Sequence, residues 1–191
     1  MLFNSLEFLL FFLPVTWLAW RLSIRVSEMT GVVTLLFASI IYYAIWEPRN
    51  LLVLVPLALL TYFLGLLISA NRSLLALVAV LAANLGTLAW FKYAGFLSAS
   101  AHAVIPWIPL ISVGVALPLG ISFFVFQKIA FAVDAYYGRA KSDHLARFLL
   151  FVMFFPQLIA GPIVHYRDIG PQLTRFVMDR QSNLARGLFI F

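Results

Sequence analysis

The chain reads as long apolar runs punctuated by single charges. No Asp, Glu, Lys or Arg lies between Glu7 and Arg21, Glu28 and Glu47, Arg49 and Arg72, Arg72 and Lys92, Lys92 and Lys128, or Arg147 and Arg167. A helix needs about 20 residues to cross the hydrocarbon core of a bilayer, and most of these intervals have that length or more. The first reaches it only if Ser5 to Leu22 are included, with Glu7 and Arg21 stretching to the interface. The pattern predicts helices over 5–22, 29–46, 51–70, 73–91, 112–137 and 148–165, and the start of a seventh near Asn183. The short connections Glu47-Pro48-Arg49-Asn50 and Asn71-Arg72 predict antiparallel neighbours. From Tyr93 to Ile111 the apolar pattern is diluted by Gly95, Ser98, Ser100, His102, Pro106 and Pro109 around Trp107. That stretch reads as an interfacial loop or a re-entrant segment.

Two of the six apolar segments are not simple anchors. Pro118-Leu119-Gly120 interrupts the fifth, and Pro156, Gly161 and Pro162 interrupt the sixth. Proline removes a helical hydrogen bond and frees a carbonyl, which in lipid must be satisfied by protein or by water in a cavity. Broken helices are therefore expected near 118–120 and 156–162. The fold class is an all-α, polytopic transmembrane bundle of about six apolar segments plus the start of a seventh, with residues 1–191 forming part of a single membrane-embedded domain.

Composition agrees with this reading. Hydrophobic residues make up 64% of the chain and charged residues 10%, with mean hydropathy +1.02. A soluble domain carries about 25% charged residues, so a soluble fold is excluded. The apolar N-terminus does not resemble a cleaved signal. It has no basic residue before the run, it carries Glu7, and no small-x-small site follows; it reads as a retained first helix. The net charge of +6 is spread over single positions and short loops, as expected beside anionic headgroups rather than on a nucleic-acid-binding surface. Cysteine is absent, which excludes disulfides, thiolate metal sites and cysteine nucleophiles. Six full crossings would divide the loop cations evenly. Arg21, Arg25, Arg72, Arg139, Lys141 and Arg147 would lie on one side, and Arg49, Lys92, Arg167, Arg175, Arg180 and Arg186 on the other, so the positive-inside rule assigns no orientation.

Polar residues at membrane depth are the candidate chemistry, because each needs a partner or a purpose. Gln127 and Asp134 are seven residues apart, within about 20° on a helix, with Phe131 between them; Lys128 points away from that face. Asp134 either ends its helix in water beside Tyr136 and Tyr137 or joins Gln127 in a polar wall. Gln157 either caps carbonyls freed by the prolines or lines the same cavity. His165, followed by Arg167 and Asp168, ends the sixth segment, while His102 and His144 lie in polar loops. The candidate chamber-lining residues are thus Gln127, Asp134, Gln157 and His165. No histidine array supports a metal site, and neither a phosphate-binding glycine loop nor a nucleophile elbow is present. These features fit a reaction chamber, a transporter-like bundle or a non-catalytic membrane scaffold.

Three blocks carry a more specific resemblance. The first is Met1-Leu2-Phe3-Asn4-Ser5-Leu6-Glu7-Phe8-Leu9 with Phe12-Leu13-Pro14. The second is Leu117-Pro118-Leu119-Gly120-Ile121-Ser122-Phe123-Phe124-Val125-Phe126-Gln127, continuing to Val133-Asp134-Ala135-Tyr136-Tyr137-Gly138. The third is Phe155-Pro156-Gln157-Leu158-Ile159-Ala160-Gly161-Pro162-Ile163-Val164. Together with Asn183-Leu184-Ala185-Arg186-Gly187, they resemble the N-terminal part of the membrane-bound O-acyltransferase family, in its alginate O-acetyltransferase branch. The resemblance implies a helical bundle around a reaction chamber. It also implies transfer of an acyl group, acetyl above all, to hydroxyls of an exported polysaccharide such as alginate or of a cell-wall polymer. The implied donor is acetyl-CoA or an acyl-carrier thioester, with no resident cofactor or metal. The implied setting is the bacterial inner membrane, with periplasmic or extracellular accessory proteins as partners besides lipid and the polymer, and no nucleic acid. The family's catalytic histidine lies downstream of the matched blocks, so it is expected beyond Phe191, and the chain by itself is expected to be inactive. His165 stands where relatives commonly carry arginine and inherits no catalytic role.

Overall fold

A computed structural model describes residues 5–105, 107, 120–142, 144–160 and 164–172. The described residues form an all-helical bundle. Helix α1, Phe8–Ser23, winds as a π-helix over Phe8–Phe12 and continues as an α-helix from Leu13. It is followed by α2 (Glu28–Trp46), α3 (Pro48–Asn71), α4 (Leu74–Val104) and α5 (Ile121–Tyr136). Three short helices close the described region: α6 (Leu145–Met153), α7 (Phe155–Ala160) and α8 (Tyr166–Ile169).

The helix ends follow local chemistry. Ser27 begins α2 with a reciprocal capping box, its Oγ accepting from Thr30 N while Thr30 Oγ1 accepts from Ser27 N. The single residue Glu47 separates α2 from Pro48, the first residue of α3, where a missing N–H costs nothing. Arg72 closes α3 in the left-handed conformation, and Ser73 Oγ caps α4 by accepting from Ala76 N. Gly120, at φ +71°, starts α5 in a conformation disfavoured for residues with a Cβ.

Helices α2, α3 and α4 are long and apolar enough to cross a membrane. Their outer faces carry exposed Phe37, Leu52, Phe63, Leu67, Leu75 and Trp90, a surface suited to lipid rather than water. With α1 they form an up-and-down series in which α1 packs on α2, α2 on α3 and α3 on α4. Helix α5 returns against α3 and α4. Ala132 and Ala135 pack with Ile68, Ala76, Leu77 and Val80, so the C-terminal end of α5 lies beside the α3–α4 turn. The fit there is close: a Cβ added to Gly65 would lie 2.7 Å from Phe131 Cε1.

Two expectations are revised. The stretch after Tyr93 is not a loop, because α4 continues to Val104. Lys92, Gly95 and the serines do not break its hydrogen-bond ladder. The helix ends when Ile105 turns extended ahead of Pro106, whose ring disfavours a helical predecessor. At 31 residues α4 is about 46 Å long, more than the hydrocarbon core needs.

The sixth segment is not one span over 148–165. Helix α6 starts at Leu145, runs nine residues and breaks at Phe154, just ahead of the predicted break at 156–162, because Pro156 cannot join its ladder. Residues 118, 119 and 161–163, and the helix expected near Asn183, lie outside the described residues.

The core gathers around α6. Phe148, Leu150, Phe151, Val152 and Met153 are all buried, packed with Val32 and Tyr43 of α2, Leu54, Ala58 and Tyr62 of α3, Phe124 and Phe131 of α5, and Tyr166 of α8. At its far end Phe155 stacks among Phe8, Phe12 and Tyr42. Tyr166 then returns the chain to Phe131, Phe148 and Phe151. The segment from Leu145 to Tyr166 enters the bundle and comes back to the side it entered from.

Candidate functional site

At the break in α6, two backbone groups are held by side chains of other helices. Phe155 N would ordinarily bond Phe151 O, four residues back. Instead Phe155 N donates to Ser39 Oγ of α2 (3.3 Å), and Phe151 O accepts from Gln127 Nε2 of α5 (3.1 Å). Side chains from two neighbouring helices thus satisfy the polar groups that a helix break exposes inside an apolar core, as burial requires. Gln127 is buried at this junction. Gln157 lies in α7, half-buried, with its N–H bonded to Phe154 O (3.0 Å); the freed Phe151 carbonyl is held by Gln127.

Two turns further along α5, Asp134 is buried and its Oδ2 lies 2.6 Å from His165 Nδ1. The imidazole is partly exposed while the carboxylate is not. With Nδ1–H donating to Asp134, the ring is fixed in orientation and Nε2 is left as the acceptor. The pair also pins the returning end of the re-entrant segment to the end of α5. The backbone carbonyl of Asp134 accepts from Arg139 N (2.7 Å) and Ala140 N (3.2 Å), folding the following loop over the helix terminus. Gly138 permits that fold at φ +71°, close to Arg72 of the α3–α4 turn.

Sequence reasoning placed Gln127 and Asp134 on one helical face, and the structure puts both in the interior with Phe131 between them. It joins Asp134 to His165 and leaves Gln127 on a separate partner. Missing from the candidate residues was Ser39, a lone serine in an apolar helix with no distinguishing pattern around it. Lys128 also gained weight. It is fully buried, its Nζ lies 5.2 Å above the Phe124 ring, and it has no hydrogen-bond partner among the described residues.

A second polar group sits at the level of Lys128. Val80 of α4 packs with Ala132 and Leu88 packs with Val125, so Asn84, midway between them on α4, lies opposite Lys128 in register. Asn84 Nδ2 donates to Thr61 Oγ1 (3.1 Å) and Val80 O (2.9 Å), while its Oδ1 has no partner among the described residues. An orphaned donor and an orphaned acceptor thus share one layer between α3, α4 and α5.

At the end of the bundle where α5 stops and α6 begins, Arg139, Ala140, Lys141, Arg147, Tyr166, Arg167, Gly170 and Pro171 line a cavity of about 310 Å³. Tyr166 supports it from below, its hydroxyl 2.9 Å from Ser142 Oγ.

No family model and no solved structure matches the chain. Several curated proteins do. A protein named probable alginate O-acetylase from Pseudomonas aeruginosa is 35% identical over 184 residues, 90% of this chain and 34% of its own length. A peptidoglycan O-acetyltransferase from Helicobacter pylori is 31% identical, aligned along 100% of this chain and 42% of its own length. A teichoic acid D-alanyltransferase from Bacillus subtilis is 38% identical over a shorter stretch of 65 residues. The chain spans about a third of the length of the alginate O-acetylases it matches. The chain is thus similar along most of its length to alginate O-acetylases and a peptidoglycan O-acetyltransferase, and over a shorter stretch to a teichoic acid D-alanyltransferase.

Proposed function

We propose that this chain forms part of an acyltransferase chamber that moves an acyl group, acetyl in the first instance, to hydroxyls of an exported polysaccharide or cell-wall polymer. The observation that carries the proposal is the similarity along 90% of the chain to alginate O-acetylases, joined by a peptidoglycan O-acetyltransferase. The fold supports it physically. A re-entrant segment with its polar groups satisfied from inside gives a membrane bundle a fixed interior in which a hydroxyl and a thioester can meet away from bulk water. The donor in this reading is acetyl-CoA or an acyl-carrier thioester, and periplasmic or extracellular accessory proteins assist with the polymer. His165 is read here as an orienting group whose Nδ1 pairs with Asp134 and ties the returning segment to α5.

The setting in this reading is the bacterial inner membrane. Because the sixth segment returns, Arg167 joins Arg139, Lys141 and Arg147 at one cavity. The α1–α2 and α3–α4 turns add Arg21, Arg25 and Arg72 to that end of the bundle, leaving Arg49 and Lys92 for the other among the described residues. The positive-inside rule then makes the cavity end cytoplasmic, the side on which a thioester donor is made.

The test is transfer of labelled acetyl from acetyl-CoA, or from an acyl-carrier thioester, by membranes in which this chain is present together with the downstream region expected to supply the catalytic histidine, since the chain by itself is expected to be inactive. Labelled ester on alginate or on peptidoglycan is the expected result. Absence of label from both acceptors with both donors overturns the proposal.

A further inference from the structure

The cavity at the α5–α6 end has a lining of one sign. Arg139, Lys141, Arg147 and Arg167 contribute four cations to about 310 Å³ of space, a volume at the lower end of small-molecule sites. Among the described residues the neighbouring carboxylates do not neutralise them. Asp134 is engaged by His165 at 2.6 Å, and Asp168 reaches only Arg167 Nε, at 3.6 Å with both side chains exposed; Asp143 lies outside the described residues. Arg139 rests over the Tyr137 ring with its Cζ 5.2 Å from the centroid. Arg147 carries the strongest signal. Its Nε is shut off from solvent and has no hydrogen-bond partner among the described residues, although a guanidinium N–H buried without an acceptor is costly. Arg147 is also the third residue of α6, whose first residues receive no side-chain cap from His144, so the positive end of that helix adds to the same field.

Cations held this close repel one another unless an anion sits among them. Three guanidiniums and an ammonium suit an oxyanion with several acceptors, since guanidinium forks bind phosphate oxygens in pairs and an ammonium adds a point charge. We propose that this cavity binds a phosphate group, with Arg147 as its inner ligand and Arg139, Lys141 and Arg167 at its rim. The group belongs either to an anionic lipid, whose headgroups lie at the level of helix ends, or to a soluble phosphorylated molecule. The proposal stands on the cavity alone and does not depend on acyl transfer.

Purified protein in phosphatidylcholine nanodiscs, titrated with inorganic pyrophosphate by calorimetry, tests the soluble source. Retention of phosphatidylglycerol or cardiolipin from mixed-lipid discs, read by native mass spectrometry, tests the lipid source. At least one probe binds, and its affinity falls about tenfold or more in Arg147→Gln, equivalent to about 1.4 kcal/mol. The exposed pair Arg139→Gln with Lys141→Gln gives a comparable loss and remains informative if Arg147→Gln does not fold. Arg25→Gln, at the same end of the bundle but outside the cavity, leaves binding unchanged. Pyrophosphate binding in neutral discs assigns a soluble ligand, and lipid retention without it assigns a headgroup. Failure of both probes, or an equal loss in Arg25→Gln, overturns the proposal.

Discussion

Helices α3 and α6 are both apolar almost throughout, yet they occupy opposite environments. Helix α3 is long enough to cross a bilayer and turns Leu52, Phe63, Leu66 and Leu67 outwards. Helix α6 is about 14 Å long, too short to cross, and buries Phe148, Leu150, Phe151, Val152 and Met153 in the centre of the bundle. Hydropathy records only that a side chain avoids water; it does not distinguish lipid from protein as the alternative solvent. What separates the two helices is their polar bookkeeping. Helix α3 runs on as a single helix through Pro56, which lacks the N–H that would bond Leu52 O, and Thr61 Oγ1 donates to Leu57 O. Helix α6 stops at Phe154 and depends on Ser39 and Gln127 for the groups it exposes.

The sharpest way to break this comparison is to ask whether the segment containing α6 crosses. The chain has no cysteine, so single cysteines report sidedness directly. Lys141→Cys and Asp168→Cys lie on either side of the re-entrant segment, and both react with a membrane-impermeant maleimide from one face only. Glu47→Cys, in the α2–α3 turn, reacts from the other face. The expected effect is all or none. If positions 141 and 168 label from opposite faces, the segment spans and the difference between α3 and α6 disappears.

The next largest effect is on packing. Phe148 is fully buried against Tyr62, Phe131 and Tyr166, so Phe148→Ala should cost about 3–5 kcal/mol. Phe63 of α3 is more than half exposed, and Phe63→Ala should cost under about 0.5 kcal/mol because lipid fills the space it leaves. Thermal unfolding in detergent or nanodiscs separates the two. Equal losses would mean that Phe63 faces protein.

The same contrast explains what the sequence could disclose. Helices α2, α3 and α4 were legible because an interval free of charge, closed by Glu47-Pro48 or Asn71-Arg72, has one reading at that length. The extension of α4 past Lys92 was not. Glycine, serine and a lone lysine weaken a helix by tenths to about 1 kcal/mol each, and only Pro106 offers a decisive stop. The inward course of α6 was hidden because nine buried apolar residues look like half a span. Proline at position 156 announced a break, but which side chain would satisfy it depends on contacts far apart in the chain. Gln127 and Phe151 are separated by 24 residues, and Asp134 and His165 by 31. Residue type marked Gln127, Asp134 and His165 as unusual, whereas pairing came only from the fold.

The finest distinction lies between two neighbours on α5. Gln127 and Lys128 are both polar, adjacent and buried, but they face different layers. Gln127 donates to a carbonyl that has lost its helical partner, so Gln127→Leu leaves Phe151 O bare and should cost about 1–3 kcal/mol. Lys128 holds a long side chain without a hydrogen bond among the described residues, compensated only by the Phe124 ring. Replacing it with Met keeps the length and removes the buried amine, and the expected outcome is no loss of thermal stability or a small gain. The double variant Lys128→Met with Asn84→Leu tests the layer they share. Its change should equal the sum of the single changes, since no direct bond joins Lys128 Nζ to Asn84 Oδ1. A Lys128→Met variant as destabilised as Gln127→Leu would show that the amine is held by a partner after all. The two neighbours would then be equivalent supports of the interior instead of one support and one strained charge.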